Sequence, residues 1–487
     1  MPTERSRSTG DRSVAMPLMG KFVVVIGAGP AGLTAALELS KLQVPAVVLE
    51  ADSSVGGLAR TVKYKGYLFD IGGHRFFTKW EEVNDIWRAT LGEKFLLRPR
   101  LSRIYYRKKF FLYPLEAKNA LLGLGPVESL LILASYLKAQ LIPFPQEENL
   151  EQWVCNRFGR RLYEMFFKTY TEKVWGVPCT SIRAEWAAQR IRGLSLMTAA
   201  KNAFFPQKRP KLKTLIDRFH YPERGPGQMW ETVADHLQRM DYPVLTERPV
   251  IRICHDAGRV DCVITRGPQG EQRFEGTHFI SSMPIRDLIR ALDPPPPEPV
   301  LQAANRLHYR DFLIVSLIVD RKEVVPDNWI YVHEPGVRVG RIQNFKNWSP
   351  AMVPDPNKTC LGMEYFVFKD DELWASPDEH LIDMARQEIA QLGLAKPEEV
   401  EDGTVVRVSK AYPMYDEGWT DHVGTIRGYL AQYLPNLQLV GRNGMHKYNN
   451  QDHSMMTALY ASRNIAGANH DLWSVNTESD YHEEVKQ

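Results

Sequence analysis

Apolar and polar positions along this chain follow two different periods, and the places where one gives way to the other outline its elements. The run Phe22 to Ile26 is continuously apolar and mostly β-branched, the pattern of a strand covered on both faces in a parallel sheet. LTAALELSKL reads as a helix, and Ala46 to Leu49 as a second buried strand. From about residue 80 to 200, apolar residues recur at helical spacing, as at Leu115, Ala120 and Leu122 and again at Leu130, Leu133 and Leu137. A largely helical insertion is expected there. Between Tyr242 and Ile285, the runs VLTERPVIRI, RVDCVITR and HFISSMPI read as strands that return to the first unit. PPPPEP, Pro294 to Pro299, is a stiff extended connector. Beyond it, FLIVSLIVD, NWIYVHE and CLGMEYFVF predict an antiparallel sheet, and HLIDMARQEIAQLG an amphipathic helix. Leu437 to Val440 reads as the last parallel strand, and Ser454 to Ile465 as a helix that stops near Gly467.

Composition narrows this picture. At roughly 150 residues per domain, 487 residues make about three domains or one large α/β unit with insertions. With 44% apolar and 24% charged residues the chain is neither disordered nor collagen-like. A formal charge of +3 gives no support to a nucleic-acid-binding face, so no nucleic-acid partner is expected. The cysteines, at 155, 179, 254, 262 and 360, show no zinc-type spacing; free thiols, no metal and a reducing, cytoplasmic setting are expected. The first twenty residues are polar and read as a flexible tail. Leu130 to Leu137, between Glu128 and Lys138, is too short to span a bilayer; a buried or interface helix is expected, with attachment to a membrane surface as the alternative.

Between the first strand and the first helix stands Gly27-Ala28-Gly29-Pro30-Ala31-Gly32. Gly27 suits a tight turn, Gly29 a close backbone approach to a pyrophosphate, and Gly32 close packing of helix on strand, while the helix amino terminus faces the anion. Ala31 lies within the same turn. Glu50, at the tip of the second strand, is placed to accept hydrogen bonds from an adenosine ribose. The continuation Val55-Gly56-Gly57-Leu58-Ala59-Arg60 lets the chain pass tight against a dinucleotide, with Arg60 in reach of its phosphates. This stretch resembles the GG motif of the amine-oxidase-like flavoproteins, whose FAD domain is assembled from both ends of the chain.

Near the carboxyl end, GRNGMHKYNNQDHSMM packs polar groups between a strand and a helix, with Asp452 or Ser454 as the expected helix cap. This segment is similar to the corresponding part of the UDP-galactopyranose mutases, particularly the eukaryotic type. So are FDIGGHRFF, YRKKFFLYPL, YTEKVWGVPCTSIRAEWAAQRI, NWIYVHEP and RIQNFKNWSP, spread over most of the chain. The resemblance implies an α/β fold: a Rossmann-like FAD-binding domain (21–80, 221–295 and 426–475), a mainly helical insertion (81–220) and an antiparallel-sheet substrate domain (296–425), between tails at 1–20 and 476–487. It also implies that Arg190 and Arg341 grip the substrate's diphosphate, that Tyr331, Tyr412, Tyr448 and Asn450 bind substrate, and that Gly73 and His74 form a loop beside the flavin. Arg442, Asn450, Gln451 and Ser454 would hold the flavin from the other side.

The residue types suit that chemistry. A diphosphate carries about two negative charges, and each charged hydrogen bond from a guanidinium contributes roughly 1.5–3 kcal/mol. Tyrosine hydroxyls add donors without further charge, so the diphosphate is stabilised on leaving and still released. In the mutases, reduced FAD acts as nucleophile through N5 at the anomeric carbon of a nucleotide sugar, and ring reclosure exchanges pyranose for furanose with no net oxidation. NAD(P)H as reductant and a homo-oligomeric state are left open. Three positions depart from the mutase pattern: Trp348 where tyrosine is usual, Met414-Tyr415 after Tyr412-Pro413, and Arg75 after GGH. An FAD-dependent oxidase or desaturase is the alternative, and would call for an apolar or aromatic-cage site.

Overall fold

The computed structural model describes residues 20–113, 115, 117–184 and 218–477. Val23–Ile26 lies at the centre of a five-stranded parallel sheet, between His278–Ser281 and Ala46–Leu49. Leu437–Leu439 extends it on one side and Val244–Leu245 on the other. Val23, Val24, Val25 and Val48 are fully buried, as an apolar run without polar alternation requires of a strand covered on both faces. Burying each such side chain contributes about 1.5–3 kcal/mol.

Helices Pro30–Lys41 and Gln451–Ile465, from opposite ends of the chain, pack on each other over this sheet. Ser462 Oγ donates to the Ala35 carbonyl at 3.1 Å, and Arg463 Nε to Glu38 at 2.8 Å. The parallel-sheet layer therefore draws on both ends of the chain, as expected.

The second layer is a seven-stranded sheet in the order Val400–Pro413, Tyr309–Val319, Thr359–Val367, Arg341–Asn344, Trp329–Val332, Ser102–Tyr106, Lys109–Leu112. Tyr309–Val319 is buried along its whole length because both of its faces are covered. Leu313, Val315 and Leu317 pack with Leu381, Ala385 and Ile389 of helix Asp378–Gln391, while Phe312 and Ile314 join the aromatic cluster that contains Trp329 and Trp348.

Three sequence expectations need correcting. The helical stretch at 80–200 is interrupted by strands: Phe95–Pro99 pairs with Arg218–Pro222, and Ser102–Tyr106 with Lys109–Leu112 around a turn where Arg107 and Lys108 have φ of 49° and 59°. That left-handed pair is the conformation a two-residue hairpin needs. Ser102–Tyr106 also runs parallel to Trp329–Val332, so the second sheet is mixed. Helix Pro126–Leu141 turns Leu130, Leu133 and Leu137 outward and buries Ile132 and Tyr136, so of the buried or interface helix expected there the buried alternative falls for the leucines. The proline connector is shorter than read, since Glu298–Asn305 is already a helix with Pro299 in its first turn, where a missing N–H costs nothing.

Candidate active site

A cavity of about 930 Å³ lies between the two layers. At its nucleotide end Gly27 turns with φ of 99°. A Cβ on Gly32 would stand 1.7 Å from the Gly27 carbonyl oxygen, so the helix sits on the strand only because that residue is glycine. Gly29 and Gly57 face each other closely: a Cβ on Gly57 would lie 3.2 Å from the Gly29 Cα. Glu50 accepts from the Ala28 N–H at 2.6 Å and the Asp52 N–H at 3.0 Å. Burial raises its pKa, and those two backbone donors partly offset the rise. Two apposed glycine backbones, a helix amino terminus and an acid at the next strand tip fit a dinucleotide such as FAD.

At the far end the mixed sheet presents one face to the cavity. Tyr331, Arg341 and Glu364 are register partners across three adjacent strands, so they form one row, and Trp329 and Gln343 form the next. Trp348 Nε1 donates to Gln343 Oε1 at 3.1 Å, and Gln343 Nε2 to Glu364 Oε1 at 2.7 Å. Arg341 Nε donates to Glu364 Oε2, and Arg341 Nη2 to the Tyr412 hydroxyl at 3.2 Å. Burial works most strongly against the charge of Arg341, but the Glu364 carboxylate together with Tyr412, Tyr170 and Tyr331 outweighs it and holds the guanidinium protonated. Its side chain still exposes 21% of its surface, whereas Glu364 exposes none. The cation is thus braced from behind and open in front, an arrangement that receives an anion.

Tyr412 and Tyr448 stand with ring centroids 5.9 Å apart and planes 19° from parallel, and the Arg442 guanidinium lies 4.7 Å from the Tyr448 ring. Arg442 Nε is spent on the Asn449 carbonyl at 2.8 Å. Lys447, the cation before Tyr448, ties down the chain end by donating to the carbonyls of Trp473 and Val475, and burial lowers its pKa to about 8. His74 Nδ1 lies 3.0 Å from the Gly72 carbonyl oxygen, which can only accept, so Nδ1 carries the proton and Nε2 is left as acceptor. Burial, reinforced by Arg442, lowers its pKa to about 4. The ring is therefore neutral at physiological pH.

Gly27, Gly29, Ala31, Glu50, Gly57, Gly73, His74, Tyr331, Arg341, Tyr412, Arg442, Tyr448, Asn450, Gln451 and Ser454 all line this one cavity. Gly32 and Arg60 are not among its lining residues; Gly32 packs beneath it, and the Arg60 guanidinium lies 3.2 Å from Asp52. Arg190, expected opposite Arg341, falls outside the described residues. The cap of helix Gln451–Ile465 is Asn450, not Asp452 or Ser454: both already lie in the first helical turn, and the Asn450 N–H donates to His453 Nδ1 at 3.2 Å. Glu364 and Gln343 escaped the sequence reading, although a lone acid within the apolar run CLGMEYFVF was a signal for a buried charge awaiting a partner. Trp348 is buried against Trp329 and Tyr221, and its indole N–H supplies the donor at the head of the chain to Glu364.

Comparisons with known proteins agree with this geometry. The structure of reduced UDP-galactopyranose mutase superposes with a TM-score of 0.82 at 21% identity, covering 94% of this chain and 97% of that one. A protoporphyrinogen oxidase-like protein from Exiguobacterium sp. 255-15 gives 0.67 at 19% identity over 90% and 98%. Putrescine oxidase bound to putrescine gives 0.60 at 17% identity over 92% and 99%. At such identities these likenesses establish the fold. Among curated sequences, protoporphyrinogen oxidase 2 of Arabidopsis thaliana is 39% identical over 67 residues, 14% of this chain. Inactive all-trans-retinol 13,14-reductase of Danio rerio is 50% identical over 50 residues, 10% of this chain. The chain matches only 13% and 8% of the length of these two relatives. Residues 30–448 match the profile of the flavin-containing amine oxidoreductases, and with its glycine cradle and two-ended parallel sheet the chain belongs to that family.

Proposed function

We propose that this flavoprotein is a nucleotide-sugar mutase that interconverts pyranose and furanose forms, of the UDP-galactopyranose mutase type. The observation that carries the reading is the braced cation: Arg341, backed by Glu364 and bonded to Tyr412, faces the same cavity as the dinucleotide cradle. An oxidase acting on a cationic amine has no anion to offer a guanidinium held charged at its substrate wall.

Bound flavin, when reduced, would supply an electron-rich nitrogen nucleophile. The chain's own residues would do the rest. Arg341 neutralises the diphosphate as it departs and keeps it near for return, while Tyr331, Tyr412 and Tyr448 present hydroxyls to the same group. Arg190 is assigned as the second cation on the strength of its motif. His74, neutral and with Nε2 as acceptor, orients a neighbouring hydroxyl or N–H without adding charge.

The test is to incubate oxidised and dithionite-reduced protein with UDP-galactofuranose and separate the products. Conversion to the pyranose by the reduced protein alone is expected. The near-parallel Tyr412 and Tyr448 rings favour a second reading, an aromatic cage for an oxidase substrate. Peroxide released from an amine or polycycle, with no sugar isomerised, would establish that one instead.

A further inference from the structure

Among the described residues, fourteen large hydrophobic side chains are exposed, and ten of them fall between Leu112 and Phe144. Most project from one side of helix Pro126–Leu141 and its exit: Val127, Leu130, Leu133, Leu137, Leu141 and Ile142, at 49–81% exposure. Six exposed apolar side chains on adjoining turns of one helix and its exit mark an interaction or membrane site. The opposite side of the helix is satisfied by its own core through Ile132 and Tyr136. A helix with apolar residues on two opposite sides is suited to being covered twice.

Charge indicates what covers the outer side. Of the cations between Arg98 and Pro145, four are exposed on or beside this helix, Arg107, Lys108, Lys109 and Lys138, in a chain whose total is only +3, while Arg103 is taken up by buried Asp327. Arg107, Lys108 and Lys109 form the exposed tip of the hairpin beside this helix, fixed there by Lys109 Nζ donating to the Gly123 carbonyl at 2.7 Å. Lys138 is exposed in the last turn. The helix's one acid, Glu128, is drawn back by Arg161 and by Arg107 at 3.8 Å, leaving 16% of its side chain accessible. Glu147, past the far end, is paired with Arg157, and Glu148 follows it exposed. A two-fold contact between copies would set this basic rim against itself, whereas an anionic lipid surface complements it.

We propose that helix Pro126–Leu141 lies in the interface of an anionic phospholipid bilayer, its leucines among the acyl chains and the Arg107–Lys109 tip among the headgroups. No described helix is long and apolar enough to cross a membrane, so the attachment is peripheral. Tyr113, at the end of the same hairpin, lies 4.5 Å from the ring of Tyr331. The docked face is therefore next to the cavity wall.

The experiment floats the full-length flavoprotein with phosphatidylcholine vesicles, with or without about a third phosphatidylglycerol. Co-flotation with the anionic vesicles and its loss at high salt are expected. L130S/L133S/L137S should abolish binding with the flavin spectrum and melting temperature unchanged. K108E/K109E, on the hairpin tip, should weaken partitioning at least about tenfold, and it reads the same surface should the leucine variant not fold. Failure of the wild type to float, or flotation indifferent to both variants, would overturn the proposal. So would light scattering that finds two copies of the wild type and one of the leucine variant without any vesicle binding, which would give the face to a second copy.

Discussion

Glu364→Gln should act in opposite directions on folding and on anion binding. The carboxylate is fully buried and accepts from both Arg341 Nε and Gln343 Nε2. An amide of the same shape offers one acceptor to two donors and no charge, so one donor faces an NH₂ group and Arg341 loses its counter-ion. Breaking a buried pair by removing one partner costs about 3–5 kcal/mol, and the lower part of that range applies because Arg341 is partly accessible from the cavity. The free variant should therefore melt well below the wild type. Its guanidinium now lacks a counter-charge, and a diphosphate in the cavity supplies one, so UDP should bind the variant about tenfold more tightly, near 1.4 kcal/mol. Differential scanning fluorimetry with and without UDP reads both effects, and calorimetry gives the affinity. A UDP-induced rise in melting temperature no larger than that of the wild type would refute the reasoning, and would mean that Glu364 merely orients Arg341.

Arg341→Ala should weaken UDP binding by about 2–3 kcal/mol and leave the flavin bound, as calorimetry and the flavin absorbance would show; loss of flavin would relocate the residue to the cofactor side. Gly32→Ala forces a methyl group onto the Gly27 carbonyl oxygen, and about 3 kcal/mol or more of stability should be lost together with flavin retention, measured by melting and by flavin released on gel filtration. Asp70, buried at the base of the Gly72–His74 loop, has its pKa raised from 3.8 to about 8 by burial, against the hydrogen bonds from Tyr221 and Thr61. Between those pH values the folded state holds a proton that the unfolded chain has released, so stability falls as pH rises from about 4 toward 8. Asp70→Asn should flatten that decline in urea unfolding followed across pH, and an unchanged slope would show that Asp70 is ionised in the fold.

Much of this architecture can be read from the sequence wherever a backbone demand has a local signature. The apolar run at Val23–Ile26, the glycines at 27, 29 and 32 and the acid at 50 each answer a requirement of their own neighbourhood and fall where the pattern puts them, while Phe22, at the head of that run, lies exposed outside the strand. The antiparallel strands behind Arg341 were equally plain, because Tyr309–Val319 and Thr359–Val367 are long and apolar. Partnerships between strands are another matter. That Glu364 stands beside Arg341 depends on register across a gap of 23 residues, and a local pattern carries no register. The hairpin at 102–112 was hidden for a related reason: its two-residue turn is made by Arg107 and Lys108, which lack the glycine or asparagine that usually marks such a turn. Helical spacing at Leu130, Leu133 and Leu137 identified the helix but left open whether its stripe is buried or at an interface, since periodicity says that a stripe exists and not which way it faces.

The parallel sheet needs Leu437–Leu439 from the far end of the chain to complete the edge beside His278–Ser281. During synthesis the amino-terminal strands must therefore wait until residues 437–439 have left the ribosome before that edge of their layer can close. Until then the apolar flank that helix Gln451–Ile465 later covers stays open to chaperones. Nascent chains stalled before residue 437 should be unable to retain flavin, however complete their glycine turn.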